Sequence, residues 1–143
     1  MILPDVNLLI FAHNEAAPRH EPAREWWENA LNREQPPIGI AWAVALGFVR
    51  LVTHPMVLVD PLSPEEALGH VESWFDREHV RIVEPGPRHL EIIGQLFAAV
   101  GVAGGLTTDA HLAALAIEHQ CALYSTDTDF GRFPGLRWTN PLA

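Results

Sequence analysis

Short apolar runs alternate along this chain with longer stretches in which apolar residues recur every three or four positions. Strand-like runs fall at residues 1–3, 37–40, 80–83 and 122–125, with a weaker one at 136–139. Helical patterns fill the gaps. Residues 22–31 set Trp26, Trp27, Ala30 and Leu31 among charged positions, and residues 42–52 are nearly all apolar until Arg50. Ser63-Pro64-Glu65-Glu66 reads as an N-cap serine, an N1 proline and an N3 glutamate, opening a helix with Leu68, Val71 and Phe75 on one side. Residues 88–99 and the alanine-rich 109–119 complete the set, the latter closed by His119 near its negative end. A parallel strand pair needs a crossover that a helix supplies, so this alternation predicts an α/β fold with a mostly parallel sheet. Ligands in such sheets bind beyond the carboxyl ends of the strands.

A length of 143 residues, 48% of them hydrophobic, suits a single domain spanning 1–143. The start carries no basic segment and no apolar run long enough for a signal peptide or a membrane span, so a cytoplasmic location is expected. Cys121, the lone cysteine, lies in an apolar run and reads as core, which excludes a disulfide framework and a thiolate metal cluster. The net charge of −9 excludes a broad basic surface for nucleic acid, since phosphate binding is chiefly electrostatic. Local binding remains open: divalent cations invert the charge of an acidic site, and all nine basic residues are arginine, the better phosphate fork. A basic partner protein is the other reading of the negative balance.

Four of the six aspartates sit at joints: Asp5 after the first strand, Asp109 at the start of the alanine-rich helix, and Asp127 and Asp129 after the 122–125 strand. The glutamates mostly lie in helical stretches, where a solvated face explains them. Singly, Asp5 and Asp109 read as helix N-caps, and Asp127 and Asp129 as holding an Asx turn. Jointly they read differently, because the first and fourth strands can be neighbours and would bring three or four carboxylates together. Such a cluster is tolerable around a hard cation, and oxygen-only ligands point to Mg²⁺ or Mn²⁺, the metals of hydrolytic phosphodiester sites.

These blocks resemble the PIN-domain ribonuclease toxins of VapBC toxin-antitoxin systems, the VapC type. Asp5-Val6-Asn7-Leu8-Leu9-Ile10 resembles the family's first acidic motif, a strand ending in aspartate followed by a short helix. The segment from Leu106 through Asp109 to Ala116 resembles the third, and Tyr124-Ser125-Thr126-Asp127-Thr128-Asp129-Phe130 the fourth. The resemblance, running from Met1 to Pro141, implies a three-layer α/β/α fold whose central, mostly parallel sheet has four to five strands. It also implies Mg²⁺- or Mn²⁺-dependent cleavage of single-stranded RNA, a homodimer, and inhibition by a VapB-type antitoxin. Asp5, Asp109, Asp127 and Asp129 are the expected catalytic residues and metal ligands, with Asn7 and Thr126 supporting them. Arg50, Arg81 and Arg132 are the candidates for phosphate contact. One position departs from the family: Gly47 stands where many members carry a glutamate, leaving the expected ligand set one carboxylate short.

Other chemistries fit less well. Asp127-Thr128-Asp129 resembles the haloacid dehalogenase nucleophile motif, but that motif normally opens its fold, and only fourteen residues follow Asp129 here. The eight histidines show no HxxxH spacing, and His111 and His119, eight apart on one helix, do not share a ligand geometry. Trp26, Trp27, Trp42, Trp74 and Trp138 could stack on RNA bases, although their apolar or periodic neighbours suggest core. The rival function is a PIN-like binding module that has lost catalysis with the missing glutamate. Metal binding separates the two, since an inert scaffold has no need of it.

Overall fold

The computed structural model describes residues 1–101 and 103–143. Five strands, β1 (Ile2–Pro4), β2 (Ile38–Ala41), β3 (Val80–Val83), β4 (Ala122–Tyr124) and β5 (Trp138–Thr139), form one sheet in the order β3-β2-β1-β4-β5. Every neighbouring pair is parallel, and helices cover both faces to give three α/β/α layers. The helices are α1 (Val6–His13), α2 (His20–Asn32), α3 (Trp42–Val52), α4 (Pro64–Phe75), α5 (His89–Val100) and α6 (Thr107–Glu118).

Burial on both faces explains why β1, β2 and β4 read as unbroken apolar runs rather than as alternations. Central β1 ends in Pro4, which has no N–H to give the ladder. Asp5 takes over at once, its N–H donating to the Tyr124 carbonyl at 2.8 Å. Strand β2 carries Gly39 because a Cβ there would collide with the Val83 side chain on β3. Among the helices, α1 was visible only through the family resemblance. It is almost wholly apolar, with Leu8, Leu9, Ile10 and Ala12 buried, so it has no polar face from which to read a period.

Packing fixes the remaining layers. Trp27 of α2, Phe48 of α3 and Trp74 of α4 are all buried and meet edge to face, with ring centroids 5.5 Å apart for Trp27–Trp74 and 4.7 Å for Phe48–Trp74. The expected capping box opens α4: Ser63 Oγ accepts from Glu66 N at 3.1 Å, and Glu66 Oε1 accepts from Ser63 N at 3.2 Å. Helix α5 gets no cap from its own flanking residue. Glu118, at the end of α6, accepts instead from Gly86 N at 2.8 Å and Arg88 N at 2.9 Å.

Two boundaries differ from the pattern in ways that affect the site. Strand β4 stops at Tyr124, so Ser125 opens the loop after it. Helix α6 begins at Thr107, led in by a 3-10 turn over Gly104–Leu106, so Asp109 lies inside the first turn rather than at the cap. No helix among the described residues is long and apolar enough to cross a membrane.

Candidate metal centre

The strand order puts β1 and β4 side by side in the middle of the sheet, and their carboxyl ends deliver the acidic residues. Asp109, Asp127 and Asp129 converge, each offering a carboxylate oxygen within 4.8 Å of the other two. Asp109 arrives from the first turn of α6; Asp127 and Asp129 come from the turn that follows β4. Asp5 sits beside this group, near enough to act electrostatically on Asp109, but its own oxygens are engaged. Its Oδ1 accepts from Val6 N at 2.7 Å, capping α1, and its Oδ2 accepts from the Ser125 hydroxyl at 2.7 Å. The capping reading therefore holds for Asp5. The Asx-turn reading holds for Asp127, whose Oδ1 accepts from Asp129 N at 2.9 Å. Asp109 is different: among the described residues its carboxylate accepts no hydrogen bond and caps nothing.

Electrostatics reflects that isolation. The Asp109 pKa is raised to about 6, first by desolvation and then by the negative charges of Asp127, Asp5 and Asp129. Asp5 is also pushed up, chiefly by burial, against the opposing pull of its bonds from Ser125 and Val6. Such crowding carries an electrostatic penalty unless a cation relieves it.

Ser125 is the residue that sequence reasoning missed. Fully buried, it donates to Asp5 and accepts from Asp127 N at 3.0 Å and from Asn7 Nδ2 at 3.3 Å, tying three parts of the site together. The hydroxyl expected in a supporting role was that of Thr126, whose side chain makes no hydrogen bond among the described residues. Strand alternation was the available signal, since Leu123 and Ser125 are two apart and share the buried direction. Asn7 Oδ1 is buried without a partner among the described residues. An all-oxygen donor set, a crowded carboxylate with no hydrogen bond and the amide oxygen of Asn7, whose nitrogen donates to Ser125, together fit a hard divalent cation with bound water.

The other expectations separate. Gly47 faces the first residue of α1: a Cβ built on it would stand 3.5 Å from Val6 Cγ2, an ordinary contact. Val6 follows Asp5 in the chain, and α3 carries no carboxylate of its own. Arg132 ends the short turn that carries Asp129 and is exposed; Arg50 is exposed in the last turn of α3. Arg81 lies within edge strand β3, opposite Gly39, with β2 between it and β1, so the sheet does not bring it to the acidic cluster. Of the tryptophans, Trp27 and Trp74 are core, Trp26 and Trp138 are half-buried, and Trp42 is exposed.

Residues 2–136 match the PIN domain family. Ribonuclease VapC33 of Mycobacterium tuberculosis is 41% identical over 142 residues, covering 99% of each chain. Ribonuclease VapC37 of the same organism is 39% identical and covers 100% of this chain and 99% of its own. Among solved structures, VapBC2 from Rickettsia felis bound to a promoter DNA fragment superposes with a TM-score of 0.70 at 19% identity, covering 98% of each chain. Mycobacterium tuberculosis VapC20, described as a sarcin-ricin loop cleaving toxin, gives 0.67 at 16% identity, covering 96% of this chain and 99% of its own. With its parallel sheet, its acidic strand ends and relatives matched over nearly their whole length, the chain belongs to the PIN-domain family, in its VapC branch.

Proposed function

We propose that this chain is an Mg²⁺- or Mn²⁺-dependent endoribonuclease that hydrolyses phosphodiester bonds in single-stranded RNA, a toxin neutralised by a VapB-type antitoxin. The observation that carries the reading is the convergence of Asp109, Asp127 and Asp129 beside a buried Asp5. The naming of relatives 41% and 39% identical as ribonucleases, and the VapBC complexes among the structural neighbours, support the same reading.

In this reading the three converging aspartates hold the cation, and Asp5 shapes the site from behind through Ser125. When bound, the metal supplies an activated water and positive charge for the departing oxygen. The protein's part is preorganisation. Ser125 fixes Asp5 and the Asp127 backbone in one rigid unit, and Asp127 in turn orients Asp129 through its backbone N–H. Asn7 Oδ1, without a partner among the described residues, would accept from a water in the centre. Arg132 is the best placed of the candidate phosphate contacts, being three residues from Asp129. The net charge of −9 suits a basic antitoxin segment, and exposed Trp42 and Leu46 on α3 suit burial against a second copy in a cytoplasmic homodimer.

Incubating the purified chain with total cellular RNA tests the reading, in Mg²⁺ or Mn²⁺ and again in chelator, with the cut ends mapped. Cleavage in metal and none in chelator is expected. Intact RNA in both arms, with no metal bound by the folded chain, sinks the nuclease and leaves the binding module, which the empty place at Gly47 favours.

A further inference from the structure

A cavity lies between α2 and the sheet, and nothing above uses it. It has a volume of about 220 Å³ and is lined by Ile2, Trp26, Asn29, Arg33, Gln35 and Tyr124, among others. That is below the ~300–1,000 Å³ of pockets for drug-sized ligands, the scale of one flat heterocycle. Its aromatic wall is a three-ring stack: Trp26 lies 5.9 Å from Trp27 at 28° and 5.8 Å from Tyr124 at 21°. Tyr124 ends the stack, with no further ring beyond it among the described residues. Ile2, Ala30 and Pro36 add apolar lining, and the three polar side chains are uncommitted. Among the described residues the side chains of Asn29 and Gln35 make no hydrogen bond, and the Arg33 guanidinium makes neither hydrogen bond nor ion pair. The contrast with Arg24 within α2, held by Glu21 and Glu28, is plain.

We infer that this cavity is a nucleotide subsite, in which the Trp26–Tyr124 wall receives one base of a single-stranded RNA, Asn29 and Gln35 read its edge, and Arg33 holds a phosphate. The inference rests on the nuclease reading above. Aromatic surface accepts any base, whereas side-chain amides both donate and accept, so they discriminate among base edges. Free guanidinium is the group suited to a phosphate. Position ties the subsite to the chemistry: the Tyr124 carbonyl accepts the Asp5 N–H at 2.8 Å, and Ser125, the next residue, holds the Asp5 carboxylate. Ile2 opens β1, and Gln35 and Pro36 precede β2, so the cavity runs from the amino ends of those strands to Tyr124 at the end of β4, and a nucleotide seated in it lies one strand length from the acidic cluster. Trp26, Asn29, Gln35 and Arg33 act as specificity and positioning residues, not catalytic ones.

The test has two arms, both on the full chain. In the first, Asp109→Asn protein is titrated with adenosine, guanosine, cytidine and uridine 5′-monophosphates while the indole N–H signals are followed by NMR. A saturable shift of the Trp26 signal that favours one nucleotide is expected, weakened roughly 5-fold or more by Arg33→Gln, an exposed change with no packing to lose. In the second, active protein cleaves a single-stranded RNA oligonucleotide; Arg33→Gln and Trp26→Phe should raise KM and leave kcat near its starting value. Nucleotides that leave Trp26 unmoved, together with an unchanged KM, overturn the subsite while the nuclease stands. Nucleotide binding with an unchanged KM makes it a site for free nucleotide and overturns the RNA assignment. No cleavage at all by the unaltered chain, with nucleotide binding intact, overturns the nuclease reading instead.

Discussion

Asp109 and Glu118 stand at opposite ends of α6 and have opposite surroundings. The helix dipole favours a carboxylate at the N-terminal end and disfavours one at the C-terminal end, by ~0.3–1 kcal/mol. The protein shows the reverse: Asp109, in the first turn, is raised to about 6, and Glu118, in the last, is lowered. Burial pushes both upward. At Glu118 the N–H groups of Arg88 and Gly86 overcome that push, whereas at Asp109 the charges of Asp127, Asp5 and Asp129 add to it. Immediate partners outweigh the dipole at both ends. A carboxylate given two backbone donors is part of the architecture, and one given only like charges is held in their repulsion.

The largest expected effect breaks this contrast at its functional end. Asp109→Asn should lower RNA cleavage by at least ~100-fold, the scale on which a single charge-stabilising group acts. Asp129→Asn should also lower it sharply, while Asp5→Asn, at a position that also caps α1, should lower both cleavage and melting temperature. Asp109→Asn should meanwhile stabilise the metal-free fold at pH 7. The folded pKa is raised, so the stability linked to protonated Asp109 is present below the unfolded value of 3.8 and is lost as pH rises through about 6. Discounted for solvent exposure, that loss is about 1–2 kcal/mol. Chemical denaturation in chelator at pH 4 and pH 7 measures it; a variant less stable than the parent at pH 7 would contradict the crowding account.

Next in size is the response to metal. Binding to the native cluster alone should stabilise the fold by about 2.7 kcal/mol at a hundredfold excess over Kd. Melting temperature should rise with Mn²⁺ or Mg²⁺ and not with Na⁺ at equal ionic strength, and Asp109→Asn should erase the difference. An equal response to both salts would mean only screening of the −9 charge.

At the other end of α6, Glu118→Gln should lower the melting temperature modestly and leave cleavage and metal affinity unchanged. The Glu118 pKa is depressed, so its contribution is present above the usual glutamate range and fades as pH falls through the folded value. Parent and variant should therefore converge in stability under acid, and a gap that persists there would mean packing rather than charge. Smallest of all, Gly47→Glu should change cleavage little, because the aspartates already converge without it. Cleavage that is indifferent to Asp129→Asn yet strongly increased by Gly47→Glu would show a centre one ligand short.

The sequence by itself determined the layer architecture, since apolar runs and helical periods are local properties that survive without tertiary context. Residues 42–52 and the Ser63 capping box were legible for that reason, as was the placing of four aspartates at joints. Apolar α1 was not legible from periodicity, because an almost wholly apolar helix has no polar face to mark its turn. Nor could the sequence say which aspartates would meet: that depended on β1 and β4 lying side by side. It chose Thr126 where the fold uses Ser125, because one residue of register at the end of β4 decides which hydroxyl turns inward. The cap that Glu118 lends to α5 joins residues about thirty apart, as does no local signal. Residue types and their joints are written along the chain, but hydrogen bonds and like-charge crowding fall off within a few ångströms, so only the folded chain could assign them.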